Sequence, residues 1–166
     1  NLTFHDSVES MVKVCDVVTI NCPLHPETEH LFDETMINKM KKGAYIVNTA
    51  RGKICDKDAI AAALKSGQLS GYAGDVWFPQ PAPNDHPWRS MPHHGMTPHT
   101  SGTSLSAQTR YADGVREILE CFFEKKEIRN QYLIVKDGEL AGMGAHSYSK
   151  GTATDGSEEA AKYQKK

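Results

Sequence analysis

Three short apolar segments recur along the chain, separated by segments whose apolar residues have helical spacing. The apolar segments are Val17–Ile20, Ala44–Val47 and Gly71–Gly74, and their first residues are 27 positions apart. That distance accommodates a strand followed by a crossover helix. Because the apolar runs are continuous rather than alternating, they are typical of strands buried on both faces of a parallel sheet.

The segments between these strands carry the signals of helix ends. Asp33 can cap a helix over Glu34–Lys41, and Asp56 can cap a second helix over Lys57–Ser66. Each of these helices is followed closely by a glycine, which favours a helix C-terminus. The resulting β-α-β-α-β order predicts an α/β fold with a doubly wound parallel sheet.

The rest of the chain has a different pattern. Residues 76–98 hold six prolines and predict a loop with one short strand near Gly95–Thr97. A long helix is predicted from Leu105 to Phe123, and the chain becomes polar and rich in Gly, Ser and Lys from Glu124, a composition typical of disorder. One stripe of the long helix comprises Leu105, Gln108, Ala112, Val115, Leu119 and Phe122.

Composition excludes several classes of function. The chain has 166 residues, 39% of them apolar and 24% charged, which is ordinary for a soluble globular protein. A formal charge of −2 argues against nucleic acid as the main partner. No apolar run approaches the roughly 20 residues that a membrane span needs. The four cysteines form no C-x-x-C pair, so we expect reduced thiols in a cytoplasmic enzyme.

A dinucleotide-binding fold is expected to open with a strand and a G-x-G-x-x-G turn. The sequence begins at Asn1 without a methionine and contains no such turn. Gly142-Met143-Gly144 lacks the third glycine and has no strand before it. We therefore expect this chain to be the C-terminal part of a longer protein whose N-terminal region is missing.

Ligands of open α/β sheets bind just beyond the carboxyl ends of the strands. The three predicted strand ends are followed by Asn21–Glu27, Asn48–Gly52 and Asp75–Trp77. Arg51 can present a planar, permanently charged fork to a carboxylate, or it is a surface arginine in a turn. An unpaired carboxylate at Asp75 would be costly, so Asp75 caps either a ligand amide or the local backbone.

Histidines offer a second source of chemistry. His99, one of eight histidines, would be a structural residue if it stood alone. His93, His94 and His99 match no standard metal-ligand spacing and have no acidic or thiol ligand nearby, so no metal site is predicted.

The order Arg51, Gln80 and His99 resembles the catalytic layout of the D-2-hydroxyacid dehydrogenases. Most of that family has glutamate at the middle position. The block Asp75–Pro83, with glutamine at position 80, and Pro98-His99-x-Ser101-Gly102 resemble the NAD-dependent formate dehydrogenase branch of bacterial type. The similar segments are Asn21–Glu29, Gly43–Gly52, Gly71–Pro83, Thr97–Gly102, Ala107–Gly114 and Gly144–Gly151.

This resemblance implies roles for individual residues. Arg51 would bind the formate carboxylate, and His99, hydrogen-bonded to Gln80, would be the second catalytic residue. Asp75 would hold the nicotinamide carboxamide, and the tail would fold over the cofactor. The cofactor-contacting positions implied are Pro23, Leu24, His25, Pro26, Glu27, Thr49, Asp75, His99, Thr100, Ser101, Gly102 and Ser147.

The resemblance also implies a more specific fold, the C-terminal half of a doubly wound parallel sheet of the Rossmann type followed by a long helix and a tail, and a domain organisation. Residues 1–100 would be the C-terminal part of an NAD-binding domain, and residues 101–166 a linking helix and the C-terminal segment of the catalytic domain. The glycine fingerprint, the ribose-binding aspartate and the formate-binding asparagine would lie upstream. NAD rather than NADP, and a homodimeric full-length enzyme, are inferred from the resemblance alone.

The implied activity is metal-independent oxidation of formate to CO2 with hydride transfer to NAD+. Formate is already an anion at neutral pH, and hydride loss gives CO2 without any proton transfer, so a neutral Gln80 beside His99 suits it. Another hydroxyacid dehydrogenase would predict glutamate at position 80. An NAD-sensing corepressor and an inactive fragment are the remaining alternatives, and we expect the 166-residue chain alone to be inactive.

Overall fold

The computed structural model describes residues 2–133, 135, 136, 139 and 140. The chain divides into two compact units, one ending at Ala107 and the other beginning at Gln108. All three predicted catalytic residues lie in the first unit.

The first unit is built on a four-stranded parallel sheet. Its strands are β1 (Val17–Ile20), β2 (Ala44–Asn48), β3 (Leu69–Gly74) and β4 (His94–Met96). They lie side by side in sequence order, and each pair of neighbours is parallel. The carboxyl ends of all four strands therefore meet at one edge. The predicted α/β fold with a parallel sheet is confirmed.

Three helices accompany these strands: α1 (Val8–Val12), α2 (Glu34–Lys39) and α3 (Lys57–Ser66). Asp33 begins α2 by accepting from the backbone of Met36 at 2.7 Å, and Asp56 begins α3 by accepting from two backbone N–H groups. Such caps satisfy donors that have no partner within the helix. Gly67 ends α3 in the left-handed conformation, with φ +75°, which glycine adopts without steric cost.

The core lies against one face of this sheet. Val18, Ile20 and Ile46 are at most 4% exposed, whereas Val17 and Tyr45 are 57% and 49% exposed. Side chains alternate across a strand, so one face is covered and the other is open. The expectation of strands buried on both faces is wrong for β1 and β2, whose side chains alternate between buried and more exposed, whereas the adjacent residues Gly71 and Tyr72 of β3 are both buried.

Several predicted boundaries shift by one or two residues. Strand β3 begins at Leu69, whose side chain is 1% exposed, rather than at Gly71. Helix α2 ends at Lys39 instead of Lys41, because Met40 leaves the helix with extended backbone (ψ 158°). Strand β4 lies one residue earlier than predicted.

The predicted long helix is confirmed as α4, Leu105–Phe123. Its predicted stripe is largely open: Val115, Leu119 and Phe122 are each at least half exposed.

Beyond α4, β5 (Val135–Lys136) and β6 (Glu139–Leu140) form an antiparallel pair. Residues from 141 onwards, including the predicted cofactor-covering tail, lie outside the described residues. Among the residues that are described, no helix has the length and apolarity to cross a membrane.

Candidate functional site

The three predicted catalytic side chains follow three neighbouring strands at the same edge of the sheet. Arg51 follows β2, Gln80 lies in the loop after β3, and His99 follows β4. All three residues are exposed to solvent at this edge.

A buried amide fixes the turn that carries Arg51. Asn48, the last residue of β2, is 0% exposed. Its Oδ1 accepts from the backbone N–H of Ala50 at 3.0 Å, and its Nδ2 donates to the carbonyl of Arg51 at 2.9 Å. Nδ2 also lies 3.5 Å from Sγ of Cys55, a thiol whose pKa burial raises to about 12. A polar residue so deeply buried must be hydrogen-bonded, and here its partners shape the Arg51 turn.

Gly52 lets the Arg51 turn lie directly against the loop after β3. A Cβ atom on Gly52 would lie 2.4 Å from the carbonyl carbon of Trp77 and 2.8 Å from the nitrogen of Phe78. Those distances are far below van der Waals contact, so only glycine fits without displacing one of the two backbones. The main chains of the two loops therefore approach each other closely at Gly52.

Gln80 and His99 form the hydrogen bond that the sequence predicted. Oε1 of Gln80 lies 2.9 Å from Nδ1 of His99. Because an amide oxygen only accepts, Nδ1 donates in this arrangement. His99 also has φ +64°, in the left-handed region that few residues other than glycine adopt. Backbone strain of this kind costs about 1–3 kcal/mol and concentrates at functional sites.

Asp75 organises the loop that carries His99. Its Oδ1 accepts from Thr97 Oγ1 at 2.6 Å and from the Thr100 N–H at 2.8 Å. Its Oδ2 accepts from both the N–H and the hydroxyl of Ser101. Burial by itself raises the pKa of Asp75, but the hydrogen bonds from Ser101, Thr97 and Thr100 outweigh it and hold that pKa well below its usual range. Asp75 therefore caps the local backbone, while its predicted contact with a carboxamide stays a prediction.

An indole adds a second tie between the loops after β3 and β4. Nε1 of Trp77 donates to the carbonyl of Thr97 at 2.8 Å. Together with the Asp75 hydrogen bonds, this contact links the loop that carries Gln80 to the loop that carries His99.

The remaining cofactor positions predicted from the sequence lie on the same edge or outside the described residues. Thr28 shapes the loop after β1, because its hydroxyl donates to the carbonyl of Pro23 and accepts from the N–H of His25, each at 2.8 Å. Thr49 is exposed at the end of β2. Ser147 lies outside the described residues. Of the others, His25 is buried, Leu24 and Gly102 are half-buried, and Pro26, Glu27, Thr100 and Ser101 are exposed.

Within the residues that the structure describes, no group of three or more His, Cys, Asp or Glu side chains could hold a metal ion. His93 and His94 lie at the start of β4, whereas His99 follows its end.

The sequence did not reveal the residues that support this site. Asn48, Gly52 and Trp77 contact the loops directly, as described above. His86 and Arg89 bind carbonyls of the Gln80 loop. One signal was available, because the prolines at positions 79, 81 and 83 leave that loop few backbone donors of its own.

Comparison with known proteins gives the family. Residues 1–101 match the family model described as the D-isomer specific 2-hydroxyacid dehydrogenase, NAD binding domain. A formate dehydrogenase of Pseudomonas sp. (strain 101) is 70% identical over 165 residues, covering 99% of this chain and 41% of that protein. The chain thus spans about two-fifths of the length of this relative.

Solved structures of formate dehydrogenases are also similar to this chain. A formate dehydrogenase of Granulicella m. superposes with a TM-score of 0.76 at 65% identity, covering 84% of this chain and 37% of the other. An NAD-dependent formate dehydrogenase from Staphylococcus aureus, in complex with NAD, gives a TM-score of 0.66 at 54% identity, covering 75% and 38%. The resemblance predicted from the motifs is confirmed, and the chain belongs to the D-isomer specific 2-hydroxyacid dehydrogenase family.

Proposed function

We propose that this chain supplies part of the active site of an enzyme that oxidises formate to CO2 with hydride transfer to NAD+. The observation that carries the proposal is the hydrogen bond between the Gln80 amide and His99, 2.9 Å long, at the strand edge that also holds Arg51. Both the Pseudomonas relative and the Staphylococcus aureus structure are described as formate dehydrogenases.

The neutral side chain at position 80 distinguishes formate from a hydroxy acid. Oxidation of a 2-hydroxy acid removes a hydroxyl proton, and a carboxylate beside histidine would stabilise the imidazolium that receives it. Formate carries no such proton, because it loses a hydride from carbon and leaves as CO2. An amide orients His99 without supplying charge, so Gln80 fits the reaction that needs no general base.

Arg51 is the proposed carboxylate ligand. Its guanidinium is permanently charged and planar, which suits bidentate binding of formate. In the described part of the chain, Nη1 donates to the carbonyl of Ala50 at 2.7 Å, and the guanidinium has further N–H donors that could face a substrate. Catalysis would then consist mainly of positioning and electrostatic stabilisation of a small anion.

NAD+ is the proposed cofactor, bound along the carboxyl edge of the sheet. The loops after β1, β2 and β4 would line it through the residues predicted above, from Pro23–Glu27, Thr49 and His99–Gly102. The cofactor supplies the hydride acceptor, and the residues of this chain orient it and exclude water. We propose that Asp75 acts here chiefly through the loop it caps.

We further infer, from the family resemblance, that the working enzyme is a cytoplasmic homodimer that binds neither nucleic acid nor membranes. The net charge of −2 is consistent with the absence of a nucleic-acid partner. Light scattering on the complete protein tests the dimer.

A substrate panel tests the proposed activity. The complete protein, incubated with NAD+ and either formate or a series of D-2-hydroxy acids, should form NADH with formate and little with the others. NADH formation with a hydroxy acid but none with formate would assign the chain to the alternative branch. Binding of NAD+ without turnover of any substrate would favour the corepressor or the inactive-fragment alternative.

A further inference from the structure

The loop that presents Gln80 has few backbone donors with which to fix its own shape. Proline occupies positions 79, 81 and 83, and a proline has no N–H. Gln80 itself is exposed, so packing against the core does not hold it. Donors that fix the main chain of residues 78–83 through its carbonyl groups must therefore come from outside these residues.

His86 supplies the first of these donors. Its ring is 3% exposed, and Nε2 lies 3.0 Å from the carbonyl oxygen of Phe78. Nδ1 accepts from the backbone N–H of Trp88 at 3.2 Å. Because Nδ1 accepts, the proton of the neutral ring lies on Nε2, which therefore donates to Phe78. The contact thus reaches the loop two residues before Gln80.

The His86 ring is itself held rigidly. It packs edge-on against Trp77 and Trp88, with ring centroids 5.4 Å and 5.2 Å away. Trp88 is 1% exposed, and its Nε1 donates to the carbonyl of Lys57 at the start of α3 at 3.0 Å. A continuous path of contacts therefore runs from helix α3 through Trp88 and His86 to the Gln80 loop.

Arg89 holds the far end of the same loop. Its Nε donates to the carbonyl of Pro83 and its Nη2 to the carbonyl of Ala82, both at 2.8 Å. The guanidinium also lies 5.4 Å from the ring centroid of Trp77. The loop is thereby bound on both sides of Gln80 by side chains from a single turn.

We propose that His86 is a positioning residue for the Gln80–His99 pair, acting through the Phe78 carbonyl, and that Arg89 assists it. This inference rests on the proposed function only for its kinetic readout. The hydrogen bond from Nε2 to Phe78, and not the contact of Nδ1 with Trp88, is the part that places Gln80.

Two substitutions separate these contacts in the complete protein. In His86→Gln the side-chain nitrogen can take the place of Nε2 and keep the donor to Phe78. In His86→Asn the side-chain oxygen can take the place of Nδ1. This variant keeps the hydrogen bond from the Trp88 N–H and loses the hydrogen bond to the Phe78 carbonyl. His86→Asn should lower kcat for formate oxidation by about 10–100-fold with a smaller change in the formate KM, as expected for misplaced reacting groups. His86→Gln should retain most of the activity.

A second measurement does not depend on turnover. Ring ¹⁵N chemical shifts of His99 report whether its Nδ1 donates to Gln80, and they should change in His86→Asn but not in His86→Gln. If the wild-type protein does not oxidise formate, the proposed function fails, and these shifts still decide the inference. The inference would be overturned if both variants had near-normal kcat. It would also be overturned if kcat were low in His86→Gln and normal in His86→Asn. Equal losses in both with an unchanged His99 signal would overturn it as well.

Arg89 provides a variant that leaves the buried ring in place. Arg89→Gln, at an exposed position, should lower kcat in the same direction by a smaller factor, with the same change in the His99 signal. Arg116→Gln, an exposed arginine on α4, serves as the matched control. If Arg89→Gln and the control behave alike, Arg89 has no positioning role.

Discussion

Oε1 of Gln80 accepts a hydrogen bond from Nδ1 of His99 across 2.9 Å, joining the loops that follow β3 and β4. The contact has the geometry of a Glu–His pair, but an amide stands in place of the carboxylate. Imidazole orientation is supplied by a neutral amide, by the left-handed backbone of His99 (φ +64°) and by the loop that Asp75 caps. In the proposed reaction, this arrangement would position the reacting groups without a proton transfer.

Gln80→Glu should introduce the pH dependence that the amide avoids. A carboxylate beside His99 favours the imidazolium. The pH profile of formate oxidation, which we expect to be broad in the wild type, should gain a limb set by the new Glu–His pair. Asn84→Asp, the same amide-to-acid change at an exposed position of the same loop, should leave the profile broad. An unchanged profile in Gln80→Glu would mean that residues 80 and 99 are not coupled.

Arg51→Lys should lower activity severely although it keeps the charge. A lysine ammonium is a point charge and cannot form the planar two-point contact with formate. At saturating NAD+ we expect a loss of about 100-fold or more, the size associated with misplaced reacting groups. Steady-state kinetics measure it, with Lys53→Arg as a control for charge exchange in the next turn. Near-normal turnover in Arg51→Lys would place the carboxylate site elsewhere.

Asp75→Asn should destabilise the fold through the β4 loop. The substitution replaces an acceptor oxygen by an NH2 group that faces part-buried donors, and each hydrogen bond lost to the charged acceptor is worth about 1.5–3 kcal/mol. Urea unfolding at neutral pH measures this loss. Asp85→Asn, at an exposed aspartate, should change the free energy of unfolding far less. Equal stability of the two variants would remove Asp75 from its capping role.

The stability difference between wild type and Asp75→Asn should depend on pH in a defined direction. The pKa of Asp75 is lowered in the folded state, so its stabilisation is present above the unfolded-state value of about 4 and is lost as the pH falls towards the lower folded value. The difference in unfolding free energy between wild type and Asp75→Asn should therefore shrink progressively below about pH 4. A difference that grew on acidification would have the wrong sign.

Gly52→Ala should disturb activity and stability together. The new Cβ would lie 2.4 Å from the Trp77 carbonyl carbon, so the Arg51 turn and the Gln80 loop must separate. Overpacking of this kind costs about 1–3 kcal/mol, and the displacement should also lower kcat. Gly95→Ala is the control, because its Cβ would meet only Ala73, at an ordinary 3.8 Å. A fully active Gly52→Ala enzyme would show that the close approach is not needed.

Local periodicity was sufficient to predict β1 and α4 to the residue, because their apolar patterns are regular. It could not predict which sheet face is covered, since Val17 and Val18 are equally apolar and only packing distinguishes them. The Gln80–His99 contact was reached through motif resemblance. The contact between His86 and Phe78 was not predictable, because a histidine within a proline-rich loop has no periodic signal and its partner is fixed by three-dimensional geometry alone. The donors to Asp75 come from residues 22–26 positions away, beyond the reach of local pattern.

Transfer of deuterium from deuterated formate tests the central claim most directly. The complete protein, given deuterated formate and NAD+, should place deuterium on the nicotinamide ring, show a primary isotope effect on kcat and keep that effect constant across the neutral pH range. This result would indicate direct hydride transfer without a titrating catalytic base. Absence of deuterium from the reduced cofactor, or a rate that follows the titration of a base, would contradict the account.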